Sequence, residues 1–257
     1  MILCPNAKIN LGLTVHPRRP DGFHDIESLF VPVHELSDVL EVVHSDSFEL
    51  VCYNSPEDIP VDKNLCYKAF DLMRREYGIG DVKIFLYKNI PTGAGLGGGS
   101  SDAAFTLVAL NEIFSLGLDR ATLAAHAATL GSDCPFFIYN TPMLATGRGE
   151  ILEPFDFDLG RFRVEVATPG IHISTPAAYK MVDEYFAKNP REKALPLAKT
   201  LKMEPREWPE NLVNDFQRPI FAEYPALEEL KSDFYRRGAI YSAMSGSGSA
   251  VFGLFLK

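Results

Sequence analysis

A chain of 257 residues, 46% hydrophobic and 23% charged, has enough apolar material for one large core or two smaller ones. Its formal net charge of −9 lacks the basic footprint of a nucleic-acid binder, which excludes that class, yet a few local lysines and amides suffice to hold a small anion. The N-terminus "MILCPNAKIN" carries no basic leader, no apolar run approaches a membrane span, and the four cysteines form no Cys-x-x-Cys pair. The expectation is a cytoplasmic protein with no membrane partner, disulfide framework or zinc site.

Taken in chain order, "KINLGLTV" (8–15) alternates strictly. Ile9, Leu11, Leu13 and Val15 share one face, and Lys8, Asn10, Gly12 and Thr14 share the other, which predicts a half-buried strand. "PRRPDGFH" is a turn with Asp21 and Gly22 at its tip. "SLFVPV", "DVLEVV" and "FELVCY" read as strands. A helix starts near Asp62 to Asn64 and stops at Gly78, and "DVKIFLYKNIP" is a further strand. A glycine-rich loop then opens a helix with an apolar stripe of Ala104, Leu107, Val108 and Leu110, ending by Gly117; a second helix spans 119–131. "SDCPFFIY" is expected to break that helix and run extended, and "ATGRGEILEP" (145–154) to form a domain crossing. The second half opens with the strand "FRVEVATP", followed by a loop and helix in "GIHISTPAAYKMVDEYF". Residues 189–211 give the weakest pattern; one or two helices broken at Pro225 follow, and then two strands joined by a Gly-Ser turn. Strands and helices mix without a steady alternation, so the fold class is α+β, divided as 1–153 and 154–257.

The loop "IPTGAGLGGGSSDAA" (90–104) contains Gly93, Gly95, Gly97, Gly98 and Gly99. "GAGLGG" matches the dinucleotide pattern G-x-G-x-x-G, but that unit needs a second strand after its helix, ending in an acidic residue. Here a second helix follows, and the acidic residue at the right spacing, Glu112, lies inside the first helix. A Walker A loop would close with Gly-Lys-Ser/Thr, and this one has no lysine. What remains is the shared physics: a flexible backbone at a helix N-terminus offers free N–H groups and the positive end of the helix dipole to a phosphate. The competing reading is a close-packed turn with Ser100 as a plain N-cap, which accounts for one serine and one glycine.

Set beside "CPNAKINLGL" and "SAMSGSGSAVFG", the loop resembles that of the GHMP kinase superfamily of small-molecule kinases. "DGFHDIESLF", "GSDCPFF", "GRGE" and "PGIHISTPAAY" resemble its branch in the non-mevalonate isoprenoid route. The resemblance runs from residue 4 to about 253, except 189–211. It implies two α+β domains, the N-terminal one binding ATP, with the active site in the cleft between them. It implies transfer of the γ-phosphoryl of ATP, with Mg²⁺, to the 2-hydroxyl of a cytidyl-diphosphate-linked methylerythritol, by a monomer or weak homodimer. Phe23 replaces the tyrosine common in that branch, and Cys134 replaces a valine.

Carried over residue by residue, the resemblance assigns ATP binding to Pro91, Thr92, Gly93, Ala94, Gly95, Leu96, Gly97, Gly98, Gly99, Ser100 and Ser101, with Asn64, Leu65 and Lys88 near the nucleotide. It makes Asp133 the general base and Lys8 the cation that stabilises the alkoxide and the moving phosphoryl group. Asn10, Phe23, His24, Thr175 and Tyr179 fall to the acceptor, with Tyr179 stacking on cytosine and His24 hydrogen-bonding it. Each has an ordinary alternative. Asp133 suits an Asx turn or helix cap, Lys8 a solvated strand, Tyr179 the core side of a helix, and His24 a turn; Asn64 reads equally as a cap and Lys88 as a surface residue. No acidic metal motif stands out, leaving Ser101, phosphates and waters to hold Mg²⁺.

Overall fold

The computed structural model describes residues 1–55, 59–190 and 195–257, and these fall into two compact units. The first gathers residues 1–8, 32–92 and 97–141; the second gathers 9–31, 93–96 and 142–257. Mixed strands and helices make the chain α+β, as expected.

The chain opens with β1 (Ile2–Leu3), β2 (Asn6–Arg18), β3 (His24–Ser37), β4 (Val39–His44) and β5 (Glu49–Tyr53), and β6 (Val82–Tyr87) follows α1 (Leu65–Tyr77). In the first unit the sheet order is β1-β4-β6-β5, with only the β5–β6 pair parallel. Helix α1 buries Cys66, Ala69, Phe70 and Met73, which recur every three or four residues and so share one face. Asn64 caps its first turn by accepting from the Cys66 amide at 2.9 Å, and Gly78 ends it in the left-handed conformation.

Helix α2 (Gly98–Ile113) departs from the expected stripe. Ser101, Asp102, Thr106 and Asn111 are buried along with Ala104, Leu107 and Leu110, so the helix is enclosed on its polar side too. It ends before Gly117, at Ile113. Helix α3 (Arg120–Leu130) begins at an Asp119 cap. The expected extended run is instead a short helix, α4 (Cys134–Tyr139). Pro135 sits in its first turn, where a fixed φ favours helix and the missing N–H costs nothing. Asn140 closes it in the left-handed region and exchanges amide hydrogen bonds with Asn6 at 2.7 and 3.1 Å.

In the second unit, residues 145–154 are no linker. Strands β7 (Met143–Thr146) and β8 (Ile151–Pro154) pair as an antiparallel hairpin, extending a sheet of order β2-β3-β7-β8. Strand β2 shows the predicted alternation but is buried on both faces, with Lys8 only 4% and Asn10 only 1% exposed. Burial of these polar groups demands partners, and those partners define the site below.

Next come β9 (Phe162–Ala167), α5 (Thr175–Lys188), α6 (Leu197–Thr200), α7 (Trp208–Asn211), α8 (Gln217–Glu223), α9 (Pro225–Arg236), β10 (Tyr241–Met244) and β11 (Val251–Leu256). A sheet of order β10-β11-β9 carries the core residues Tyr241 and Phe252. The weakly patterned stretch 189–211 folds largely into short helices around a buried Trp208; residues 191–194 lie outside the described residues. The break at Pro225 is real, with Pro225 opening α9. Among the described residues no helix is long and apolar enough to cross a membrane.

Candidate active site

The glycines of the loop are explained one at a time. Gly95 has φ 78°, and a Cβ there would lie 2.2 Å from the carbonyl oxygen of Ser245 in the β10–β11 turn. Ser245 Oγ donates to Gly95 O at 2.9 Å, and the Ala250 amide donates to Ala94 O at 3.0 Å. Gly97, also left-handed, would press a Cβ to 2.8 Å from Phe137 and 3.1 Å from the Lys8 stem. Close packing therefore accounts for much of the glycine content. Gly99 is the exception: it is exposed, its φ is unremarkable, and its nearest neighbour is Leu65 at 3.9 Å. At that position only a close approach from outside calls for glycine. For Gly95→Ala we expect a loss of about 2–5 kcal/mol, the sum of left-handed strain and a backbone clash, read by urea unfolding.

Gly97 is itself the N-cap of α2 and contributes no side-chain cap, so Ser100 is not the cap that the packed-turn alternative required. The Ser101 amide donates to Gly97 O at 2.9 Å, leaving the amides before it as the orphan donors of the helix. Ser101 Oγ is fully buried with no protein partner. Leu65 stands beside Gly99; its chain neighbour Asn64 spends its carbonyl oxygen on capping α1, and its amide points to Cys52 Sγ at 3.7 Å. Pro91 and Thr92 lie at the mouth of the loop, Thr92 exposed.

Lys8 and Asp133 come together in the first unit, Nζ to Oδ2 at 3.3 Å, with the Lys8 side chain 5% and the Asp133 side chain 32% exposed. Asp133 directly precedes α4 but makes no capping hydrogen bond, so its carboxylate is not consumed by the helix. An unspent, solvent-reachable carboxylate beside a desolvated ammonium is an arrangement suited to proton abstraction with charge stabilisation.

Lys88 is not a surface residue. Its ammonium is buried between Asp38, which it contacts at Oδ2, and Asp102, at 2.6 Å. Burial alone would lower the Lys88 pKa, but the two carboxylates outweigh it and hold it above the usual value. Burial pushes the Asp102 carboxyl up to about 7, against the pull of Lys88. Neither aspartate was picked out in the sequence. Asp102 was legible as a charge directly after the serines, and Asp38 as a lone acid between two strands.

In the second unit His24 stacks on Tyr179, ring centroids 5.0 Å apart and 21° from parallel, and Tyr179 meets Phe216 edge-on. His24 Nδ1 faces the His16 carbonyl oxygen at 2.8 Å, which only accepts, so Nδ1 carries hydrogen. Nε2 faces Asp183 at 3.4 Å, a residue the sequence reading missed. Each ring thus covers one face of the other. Asn10 donates to Ser28 Oγ at 2.8 Å and is buried. Phe23 is exposed under the Arg148 guanidinium, and Thr175 Oγ1 lies 3.4 Å from Ser247 Oγ. A cavity of ≈ 410 Å³ elsewhere along α5 is lined by His172, Lys180, Met181, Glu184 and Tyr224, with none of the predicted residues in it.

The GHMP kinases N-terminal domain family matches residues 64–141, and the GHMP kinases C-terminal family matches residues 197–257. A protein of Azobacteroides pseudotrichonymphae named 4-diphosphocytidyl-2-C-methyl-D-erythritol kinase is 46% identical over 257 residues, covering 100% of this chain and 94% of its own. A crystal structure of 4-(cytidine 5'-diphospho)-2C-methyl-D-erythritol kinase is 37% identical with TM-score 0.80, covering 99% of this chain and 90% of that one. Homoserine kinase from Cytophaga hutchinsonii, at 17% identity and TM-score 0.67 over 98% of this chain and 86% of its own, shares the fold.

Proposed function

We propose, because the chain belongs to the 4-diphosphocytidyl-2-C-methyl-D-erythritol kinase family of GHMP kinases, that it transfers the γ-phosphoryl group of ATP to the 2-hydroxyl of 4-diphosphocytidyl-2-C-methyl-D-erythritol. This step belongs to the non-mevalonate route to isoprenoid precursors. The observation that carries the reading is the Lys8–Asp133 pair, whose carboxylate is left free of any capping duty.

Phosphoryl transfer asks a protein for positioning and charge stabilisation more than for covalent chemistry. Asp133 takes the proton of the attacking hydroxyl. Lys8 stabilises the alkoxide and the charge on the moving phosphoryl group. The orphan amides at the start of α2, with Gly99 open to approach, hold the phosphates. Mg²⁺ bound to ATP would neutralise phosphate charge. Ser101 Oγ, a buried oxygen lacking a protein partner, fits as its protein ligand, with phosphates and water completing the shell.

In the acceptor set, Tyr179 stacks on cytosine and His24 reads its edge, with Asn10, Phe23 and Thr175 around them. Because His24 now fills the near face of Tyr179, the base takes either its outer face or the place of His24. For Tyr179→Ala the KM for the cytidyl acceptor should rise about tenfold or more, the worth of one base–aromatic stack, with kcat little changed. Steady-state kinetics at saturating ATP checks this, and an unchanged KM removes the stacking role. In this reading 1–153 is the ATP-binding domain and 154–257 the C-terminal one, and the acceptor set draws Asn10, Phe23 and His24 from the first and Thr175 and Tyr179 from the second. The scattered free thiols suit a reducing cytoplasm, and the enzyme acts as a monomer or weak homodimer.

A further inference from the structure

Two asparagines tie the strand that carries Lys8 to the helix that follows Asp133. Asn140 Nδ2 donates to Asn6 Oδ1 at 2.7 Å, and Asn6 Nδ2 donates back to Asn140 Oδ1 at 3.1 Å. Asn6 Nδ2 also reaches the Ala7 carbonyl oxygen at 2.9 Å, and Asn6 is only 2% exposed. Low local polarity strengthens such a pair relative to one in water. All of these residues belong to the first unit.

The spacing gives the exchange a meaning. Asn6 and Lys8 are two apart in β2, so they share one face of the strand. Asp133, Phe137 and Asn140 are four and three apart, so they share one side of α4 and its flanks. The two faces meet at three points. At the start of α4, Lys8 Nζ lies 3.3 Å from Asp133 Oδ2. In the middle, the Lys8 stem and the Phe137 ring both close on Gly97. At the end, Asn6 and Asn140 exchange their hydrogen bonds. Helix α4 has 6 residues, about 9 Å of rise. So short a helix draws its order from packing and side-chain ties rather than from its own hydrogen bonds. Asn140 ends it at φ 51°, a conformation that asparagine tolerates and glycine favours.

We propose that Asn6 and Asn140 are positioning residues for phosphoryl transfer: their exchange pins the far end of α4 to β2 and so fixes where Asp133 stands relative to Lys8 and the acceptor hydroxyl. The inference rests on the reading of Lys8 and Asp133 as the pair that carries the chemistry. In that reading neither asparagine touches ATP or the acceptor. The effect therefore falls on the chemical step, because a reacting group misplaced by about 1 Å loses up to about 10²-fold in rate.

The test is the single-turnover rate at saturating ATP and cytidyl acceptor, beside the ATP dissociation constant, the acceptor KM and the urea midpoint. Asn140→Gly deletes the side chain and keeps the left-handed turn unstrained. Asn6→Ala removes the other half of the exchange, and decides alone if Asn140→Gly does not fold. Each should slow the chemical step about tenfold, with ATP affinity and acceptor KM unchanged. The double variant should be about as slow as either single one, because each deletes the same exchange. On an Asp133→Asn background neither should slow the reaction further, since the base they position is gone. A merely structural role moves the urea midpoint and shows no such dependence on Asp133. An unchanged rate in the folded variants overturns the inference. So does a tenfold loss that persists on the Asp133→Asn background or appears in KM instead. If Asp133→Asn itself turns over at the wild-type rate, the reading of the pair falls and the inference with it.

Discussion

Asp133→Asn should lower kcat by about 10²–10⁴ while ATP still binds, because asparagine keeps the shape of the side chain and cannot accept the hydroxyl proton. The structure makes this variant a clean probe. Asp133 caps nothing, so helix α4 does not depend on its charge. Its side chain is about one-third exposed (32%), so water softens the electrostatic effect on Lys8. The amides at the start of α2 are untouched. The measurement is kcat beside an ATP dissociation constant from calorimetry. Unchanged turnover removes Asp133 as the base. Lost ATP binding with lost turnover assigns it to nucleotide binding instead.

Lys8→Met carries the second large effect. The Lys8 side chain is buried, and its stem packs against Gly97, so methionine preserves most of the packing and deletes the ammonium. We expect a fall in kcat of about 10²–10³, the usual cost of losing one preorganised charge stabiliser. The two residues act as a unit, so the double variant Lys8→Met/Asp133→Asn should be about as slow as the slower single variant. Multiplicative losses in that cycle would mean that the two groups act independently of each other.

Much of the fold is legible because local rules and tertiary packing agree. Asn64 and Gly78 bracket α1 as cap and stop residues should, Pro225 opens α9, and β10 and β11 flank their Gly-Ser turn. Legibility fails where burial is two-sided. The alternation in β2 identifies a strand but cannot report that its polar face is also enclosed. The stripe on α2 omits Asp102 and Ser101 for the same reason, since periodicity assigns charged residues to solvent unless a distant partner claims them. Helix α4 is not legible in "SDCPFFIY" because a helix of 6 residues is too short to show a periodic stripe, and Pro135, which favours helix in a first turn, is its one local signal.

The site was legible in part for a related reason. A glycine run announces backbone that must bend or be approached, and it does not say which. Gly95 and Gly97 answer to neighbouring atoms, while a Cβ at Gly99 would meet nothing nearer than Leu65 at 3.9 Å. Lys8 and Asp133 look ordinary in isolation, and only the resemblance joined them before the structure set them 3.3 Å apart. No local pattern could signal the pairing of His24 with Tyr179 and Asp183, or of Lys88 with Asp38, because each joins segments distant in sequence.

The most direct test of the central claim is ADP release from Mg·ATP with 4-diphosphocytidyl-2-C-methyl-D-erythritol as acceptor, beside mevalonate, homoserine and galactose. The account predicts ADP with the cytidyl acceptor and background with the other three. ADP with one of those three and none with the cytidyl compound would contradict it.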